Sequence, residues 1–199
     1  MYGGINAYAD YGANSGVKLD ETGKTYSDGV YADAGGTFTI TEGTVNGSDG
    51  SMSAQGGILT ANSSTITVGA WASEVNGHQG TINLNQSTTT GGYLVAQGYG
   101  AAVNVEGGTA TVNHIIARQD TLIDQPIDAV PTEKTDLEEA GSAIDIWGSE
   151  EWGTATVTTD TLQAEDNGII SVSDATLTVK QSASFTNHSE LDVAGTVDL

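Results

Sequence analysis

The sequence predicts an all-β fold, a three-sided right-handed parallel β-helix with about seven to eight turns of about 22 residues. Three observations predict it. A threonine-led segment recurs along the chain, a pair of apolar residues precedes most copies of it, and a segment containing alanine follows most copies. A solenoid of stacked turns accounts for all three, because equivalent residues of successive turns then meet on one ladder.

The threonine-led segment sets the period. Successive starts differ by 21, 23, 21, 45, 22 and 20 residues, and the 45 is two periods or one interrupted period. In a strand, the middle residue of T-x-T points inward and both threonines point outward. We therefore expect Ala155 to point inward between Thr154 and Thr156. The starts are Thr44, Thr65, Thr88, Thr109, Thr154, Thr176 and Thr196.

The apolar pairs supply the buried face of a second strand in each turn. Each pair has one residue between its members, which is the period of a strand with one buried side. Their first members form a predicted interior ladder: Phe38, Leu59, Ile82, Val103, Ile144, Ile170 and Leu191. The third strand predicts a ladder of small residues: Ala32, Ala54, Ala72, Ala96, Ala117 and Ala164.

A β-sandwich or barrel is the rival interpretation, because such folds also have many short strands and turns. It does not explain why one threonine position recurs along the whole chain. The chain ends on LDVAGTVDL, which looks like the middle of a repeat, and its first residues do not resemble a signal peptide, so we expect residues 1–199 to be a single β-helix segment of a longer protein.

The charge balance excludes several classes of partner. The chain has 26 acidic residues against 5 Lys plus Arg, a net charge of −21, and no cysteine. Nucleic acids and anionic lipid surfaces both require a basic patch, so we expect no nucleic-acid partner. No apolar run approaches the roughly 20 residues of a membrane-spanning helix, so we expect no direct membrane insertion. The acidity is typical of a solvated extracellular surface.

Three insertions interrupt the predicted turns, at residues 10–28, 119–142 and 147–153. The acidic insertion 119–142 suggests a weak calcium site, with oxygen ligands from Asp120, Asp124 and Asp128, or simply a solvated loop. No other cofactor is expected. The insertion 147–153 holds Trp147 and Trp152, which could stack on sugar rings or anchor a partner surface, or the loop could simply fold back over its own aromatic rings.

Alternation along the third strand predicts an outward row that is mostly aromatic or apolar. Such rows mark interaction surfaces when they are exposed, although loops could equally cover them. The predicted partner-binding residues in this row are Tyr8, Tyr31, Trp71, Val95 and Ile116, to which Trp147 and Trp152 are added.

The outward threonine pairs resemble the ice-binding face of β-solenoid antifreeze proteins. Against that use, the face also presents Asn46 and Asp198, and the insertion 119–142 is expected to break the run. Outward threonine is also a good strand former, which explains the pairs without any ligand.

Strings such as GGTFTITEGTVNG, GGILTANSSTITVG and VEGGTATVN resemble the passenger regions of bacterial autotransporters, the type V secreted adhesins. The resemblance covers about residues 29–118 and 142–199. It implies export, display on the bacterial surface, and aggregation, biofilm formation or adhesion, with virulence as an associated role. The implied partners are other copies of the chain, or a glycan or protein of a host or bacterial surface.

We therefore expect an extracellular, non-catalytic adhesin segment. The alternatives are a β-helical carbohydrate-active enzyme, such as a polysaccharide lyase, hydrolase or phage-type depolymerase, and a structural spacer stalk. A lyase typically needs a basic residue, and Arg118 is the only arginine. His78, His114 and His188 lack the context of a serine nucleophile. Paired carboxylates for hydrolysis depend on spatial separation, which the sequence leaves open.

Overall fold

The computed structural model describes residues 12–13, 16–27, 29–33, 35–46, 52–73, 79–119 and 141–199. Within these ranges the regular secondary structure is entirely β-strand, and no helix suited to crossing a membrane is found there. The strands are β1 (Gly12–Ala13), β2 (Lys18–Thr22), β3 (Thr25–Tyr26), β4 (Val30–Asp33), β5 (Thr37–Thr41), β6 (Thr44–Asn46), β7 (Met52–Gln55), β8 (Ile58–Asn62), β9 (Thr65–Thr67), β10 (Ala70–Ser73), β11 (Thr81–Asn85), β12 (Thr88–Gln97), β13 (Ala102–Glu106), β14 (Thr109–Arg118), β15 (Ala143–Trp147), β16 (Thr156–Glu165), β17 (Ile169–Phe185) and β18 (Glu190–Asp198).

The strands form a β-solenoid of about seven turns, because every strand pairs in parallel with its equivalent one turn away. Sheet A contains β2, β5, β8, β11, β13, β15 and the first residues of β17 and β18. Sheet B contains β3, β6, β9, the first residues of β12, β14 and β16, the middle of β17 and the end of β18. Sheet C contains β1, β4, β7, β10 and the last residues of β12, β14, β16 and β17.

Sheet A confirms the predicted interior ladder. Its register runs from Phe38 through Ile82 to Leu191 and adds Leu19 before Phe38. Phe38 to Ile170 are buried in one continuous core, and Leu19 and Leu191 are partly buried at its two ends. Burying each aliphatic side chain of this size contributes about 1.5–3 kcal/mol before the entropy cost of ordering it.

The alanine ladder of sheet C is also confirmed. Ala32, Ala54, Ala72, Ala96, Ala117 and Ala164 are in register and fully buried. In the last turn the equivalent position is Phe185, which is 37% exposed. The alanine column therefore fills less of the interior than the larger aliphatic column of sheet A does.

A left-handed residue forms the corner between sheets A and B. Glu42, Ser63, Gln86 and Asp174 all have φ near +50° there, and Gly107 has φ +65°. One residue further on, the buried hydroxyl of Ser87 donates to Ala61 O at 2.9 Å and accepts from Ser64 N at 3.2 Å. The corner is thus tied to neighbouring turns by side-chain hydrogen bonds as well as by the strand ladders.

The prediction of a loop at residues 10–28 is wrong. Lys18–Thr22 pairs with Thr37–Thr41, and Thr25–Tyr26 pairs with Thr44–Val45, so residues 18–26 belong to a turn of the solenoid. The sequence pattern did not reveal this strand, because Lys18, Asp20 and Glu21 are charged and interrupt the apolar alternation. Leu19 and Tyr26 nevertheless take inward positions, and the Tyr26 ring packs edge-on against Phe38 at 5.6 Å between ring centres.

The register predicted after Trp152 is wrong by two residues. Thr156 pairs with Thr109, Val157 with Ala110 and Thr158 with Thr111, so Val157 occupies the inward place expected for Ala155. Ala155 is buried as well, but at the corner, where its carbonyl accepts from Thr176 N at 3.0 Å. The insertion 147–153 shifted the frame, because T-A-T and T-V-T both fit the repeat.

Candidate binding surfaces

The outward side chains of sheet A form a polar ladder that is bonded to itself. Asn83 donates through Nδ2 to Thr60 Oγ1 at 3.2 Å, and its Oδ1 accepts from Asn104 Nδ2 at 2.8 Å. In the parallel row, Asn85 Nδ2 donates to Asn62 Oδ1 at 2.9 Å. An amide carries both a donor and an acceptor, so it can bond the turn above and the turn below.

In the later turns, residues other than asparagine occupy the outward positions of this ladder. Asp145 pairs with Asn104 on one side and Ser171 on the other, and Trp147 pairs with Glu106 and Ser173. Asp145, Trp147, Ser171 and Ser173, with Ile146 beneath them, line an open groove of about 260 Å³. The groove therefore combines an indole ring, a carboxylate and two hydroxyls, a set that can contact both the apolar face and the hydroxyl groups of a sugar.

A tight loop borders the groove. Ser149 and Gly153 exchange backbone hydrogen bonds of 3.0 and 2.9 Å, and Trp152 N donates to Ser149 Oγ at 3.0 Å. The Trp152 carbonyl lies against Gly107, where a β-carbon would come within 2.1 Å of its oxygen. Both tryptophan side chains are half-buried, so the loop leaves part of each ring open to solvent.

The predicted outward row of sheet C is only partly accessible. Tyr31, Ser53, Trp71, Val95, Ile116 and Gln163 are in register, as expected. Val95 is fully buried, however, so the expectation that it offers contact surface is wrong, while Tyr31 and Ile116 are half-buried. The side chain of Trp71 lies outside the described residues.

The position next to Tyr31 in this row belongs to Gly12, which pairs with it in β1. Tyr8, which was predicted to be that neighbour, lies outside the described residues. The proposed calcium ligands Asp120, Asp124 and Asp128 also lie outside them. Among the residues that the structure does describe, no group of three or more histidine or acidic side chains is placed to hold a metal ion.

An aromatic stack that the sequence analysis missed lies between sheets B and C. The rings of Tyr93 and His114 stack at 4.9 Å with 26° between their planes, and His114 Nδ1 is 2.8 Å from Thr161 Oγ1. Tyr93 is 46% exposed. The two rings are 21 residues apart in sequence, one period of the solenoid, and that spacing is the signal that could have revealed the pair.

The outward face of sheet B, which we call the threonine face, is more regular than the sequence predicts. Its first column consists of threonine in every turn that the structure describes: Thr25, Thr44, Thr65, Thr88, Thr109, Thr156, Thr176 and Thr196. The insertion 119–142 does not break the face, because β14 pairs directly with β16. The expected interruption is therefore wrong.

The only arginine is engaged at the edge of sheet C. Arg118 Nη2 donates to Gln97 Oε1 at 3.0 Å, and Gln97 is almost fully buried.

Comparison with models of protein families, with curated proteins and with solved structures gives no match to this chain.

Proposed function

We propose that the chain is a non-catalytic segment of a secreted or surface-displayed bacterial adhesin. The observation that carries the proposal is the groove at Trp147, in which an indole ring lies beside Asp145, Ser171 and Ser173 on the side of a rigid rod. The residues that contribute most to binding at interfaces are enriched in tryptophan. The sequence resemblance to autotransporter passenger regions supports the same role and an extracellular location.

A surface glycan is the partner that this groove favours. The polar ladder continues from the groove through Asn104 and Asn83, so hydrogen-bonding groups follow the rod at the strand spacing of about 4.8 Å. An extended saccharide lying along the rod would meet the indole ring first and these side chains next. The net charge of −21 favours an uncharged glycan over an acidic one, because like charges repel.

Binding of the purified chain to an array of neutral and acidic glycans tests the proposal. We expect neutral glycans to bind and Trp147→Ala to weaken binding at least about tenfold, the loss typical of a central aromatic contact. Tyr93→Ala is the matched control, since it removes an exposed aromatic ring from the corner between sheets B and C. Its binding should equal that of the unaltered chain.

An adhesion assay follows, in which particles coated with the purified chain should remain attached to a glycan-bearing surface. The assay is repeated with calcium and with a chelator, since Asp120, Asp124 and Asp128 remain a proposed calcium site. Release of shortened glycan products would instead identify a carbohydrate-active enzyme. A chain that binds no glycan, no cell surface and no second copy would be a spacer, and unchanged binding by Trp147→Ala would exclude the groove.

A further inference from the structure

The threonine face has a second column beside the first. Its members are Ser27, Asn46, Thr67, Thr90, Thr111, Thr158, Thr178 and Asp198, each two residues after a first-column threonine. The five consecutive turns from Thr65 to Thr178 therefore present threonine in both columns. Adjacent turns are about 4.8 Å apart and residues i and i+2 about 6.6 Å apart, so the array is a two-dimensional grid roughly 19 Å long.

Between the two threonines of each pair lies a residue whose side chain is buried in the core. The residues between the two columns are Ile66, Thr89, Ala110, Val157 and Leu177, and all are at most 1% exposed. Threonine is β-branched and stiff at χ1, so its methyl and hydroxyl groups are held in few orientations. The grid is consequently ordered in its side chains as well as in its backbone.

The hydroxyls of the grid have no protein partners among the described residues. None of the ten threonines donates or accepts a side-chain hydrogen bond there, whereas Asn83, Asn85 and Asn104 of sheet A are bonded to their neighbours. Seven of the ten are exposed: Thr65, Thr67, Thr88, Thr90, Thr109, Thr111 and Thr156. Their hydroxyls can therefore all bond to water.

The grid also carries no charge, although the chain has a net charge of −21. The outward residues of sheet B are uncharged from Thr25 to Thr178, and the nearest ion pair, Lys180 with Asp160 at 4.0 Å, lies beyond the second column. Charged groups would hold hydration shells that differ from bulk or crystalline water. Their exclusion from one face favours a ligand that is itself neutral and regularly spaced.

We propose that the threonine face binds the surface of ice crystals. Its spacings of about 4.8 Å and about 6.6 Å are of the same order as the repeats of the oxygen rows on a prism face of hexagonal ice, so we expect the threonine hydroxyls to take lattice positions and the methyl groups to fill the spaces between them. A small molecule would not use the whole grid. A second copy would bring two strongly anionic rods side by side, at an electrostatic cost. This activity is independent of the groove at Trp147.

The experiment measures ice-crystal shape, the gap between melting and freezing temperatures, and inhibition of recrystallisation, with the purified chain. We expect faceted crystals and inhibited recrystallisation. Thr111→Tyr, which places a large ring in the middle of the grid, should abolish both without lowering the unfolding temperature. The matched control is Thr39→Tyr, the same substitution on the outer side of sheet A, and it should retain full activity.

Three outcomes would overturn the proposal. The first is ice growth that the unaltered chain does not change. The second is equal loss of activity in Thr39→Tyr and Thr111→Tyr, which would show that the grid is not the site. The third is that the chain has no ice activity but associates with itself or with an insoluble crystalline polysaccharide in sedimentation, and that Thr111→Tyr loses this association. That result would assign the threonine face to that partner instead.

Discussion

The outer sides of sheets A and B belong to the same turns but use their polar side chains differently. On sheet A, Asn83 bonds to Thr60 and Asn104, so the ladder contributes to holding the turns together. On sheet B, equivalent threonines meet in every turn, and the five central pairs make no such bonds among the described residues. In-register stacking therefore yields either a self-bonded surface or a surface open to water.

The difference follows from the side chains. An asparagine amide reaches the next turn with a donor on one atom and an acceptor on another, so a row of amides can be satisfied internally. A threonine hydroxyl is shorter and branched, and it remains directed to solvent. Sheet A then gains an aromatic contact only where the amides give way to Asp145 and Trp147, whereas sheet B offers one uniform surface.

The largest predicted effect lies at the corner that joins the two sheets. Gly107→Ala should lower the free energy of unfolding by roughly 2–3 kcal/mol, since φ is +65° and a β-carbon would overlap the Trp152 carbonyl. Gly23→Ala is the matched control, with φ +64° and nothing within 4 Å, and it should cost about 1 kcal/mol. Denaturant unfolding measures both. Equal losses would show that the loop 147–153 does not rest on this corner.

A smaller effect separates the two faces directly. Asn104→Thr keeps a strand-forming residue but removes the amide bonded to Asn83, so it should cost about 0.5–1.5 kcal/mol. Thr111→Val keeps the shape and removes a hydroxyl without a protein partner, so the change should stay within about 0.5 kcal/mol. Chemical denaturation of both variants gives the comparison. A larger loss in Thr111→Val would contradict the description of the threonine face as open to water.

The smallest effect concerns the ion pair beside the threonine face. Lys180 and Asp160 are 4.0 Å apart, with 55% and 33% of their side chains exposed. Solvent screening leaves such pairs little energy, so Lys180→Gln should change stability by less than about 0.5 kcal/mol, and added salt should not alter the difference. Thermal unfolding at low and high salt measures it. A marked, salt-sensitive loss would mean that the pair orders the edge of the face.

The sequence predicted the core better than the surfaces. Phe38 and its ladder partners could be placed because identical spacing and burial recur in each turn. Val95 could not be judged, since alternation gives the side of a strand on which a residue lies but not what covers it. Thr154 was misplaced because two overlapping T-x-T frames follow the insertion. The groove at Trp147 depends on Ser171 and Ser173 of the next turn, which become neighbours only when the turns stack.

The amino-acid sequence by itself determined the period, the inward ladders and the column of threonines, because each is a property of spacing along the chain. Tertiary structure alone decided that Lys18–Thr22 and Thr25–Tyr26 are strands of the solenoid and that β14 pairs directly with β16 despite the insertion between them. It also decided which polar rows bond to themselves. These outcomes depend on distances between turns, which backbone pairing sets and sequence spacing does not contain.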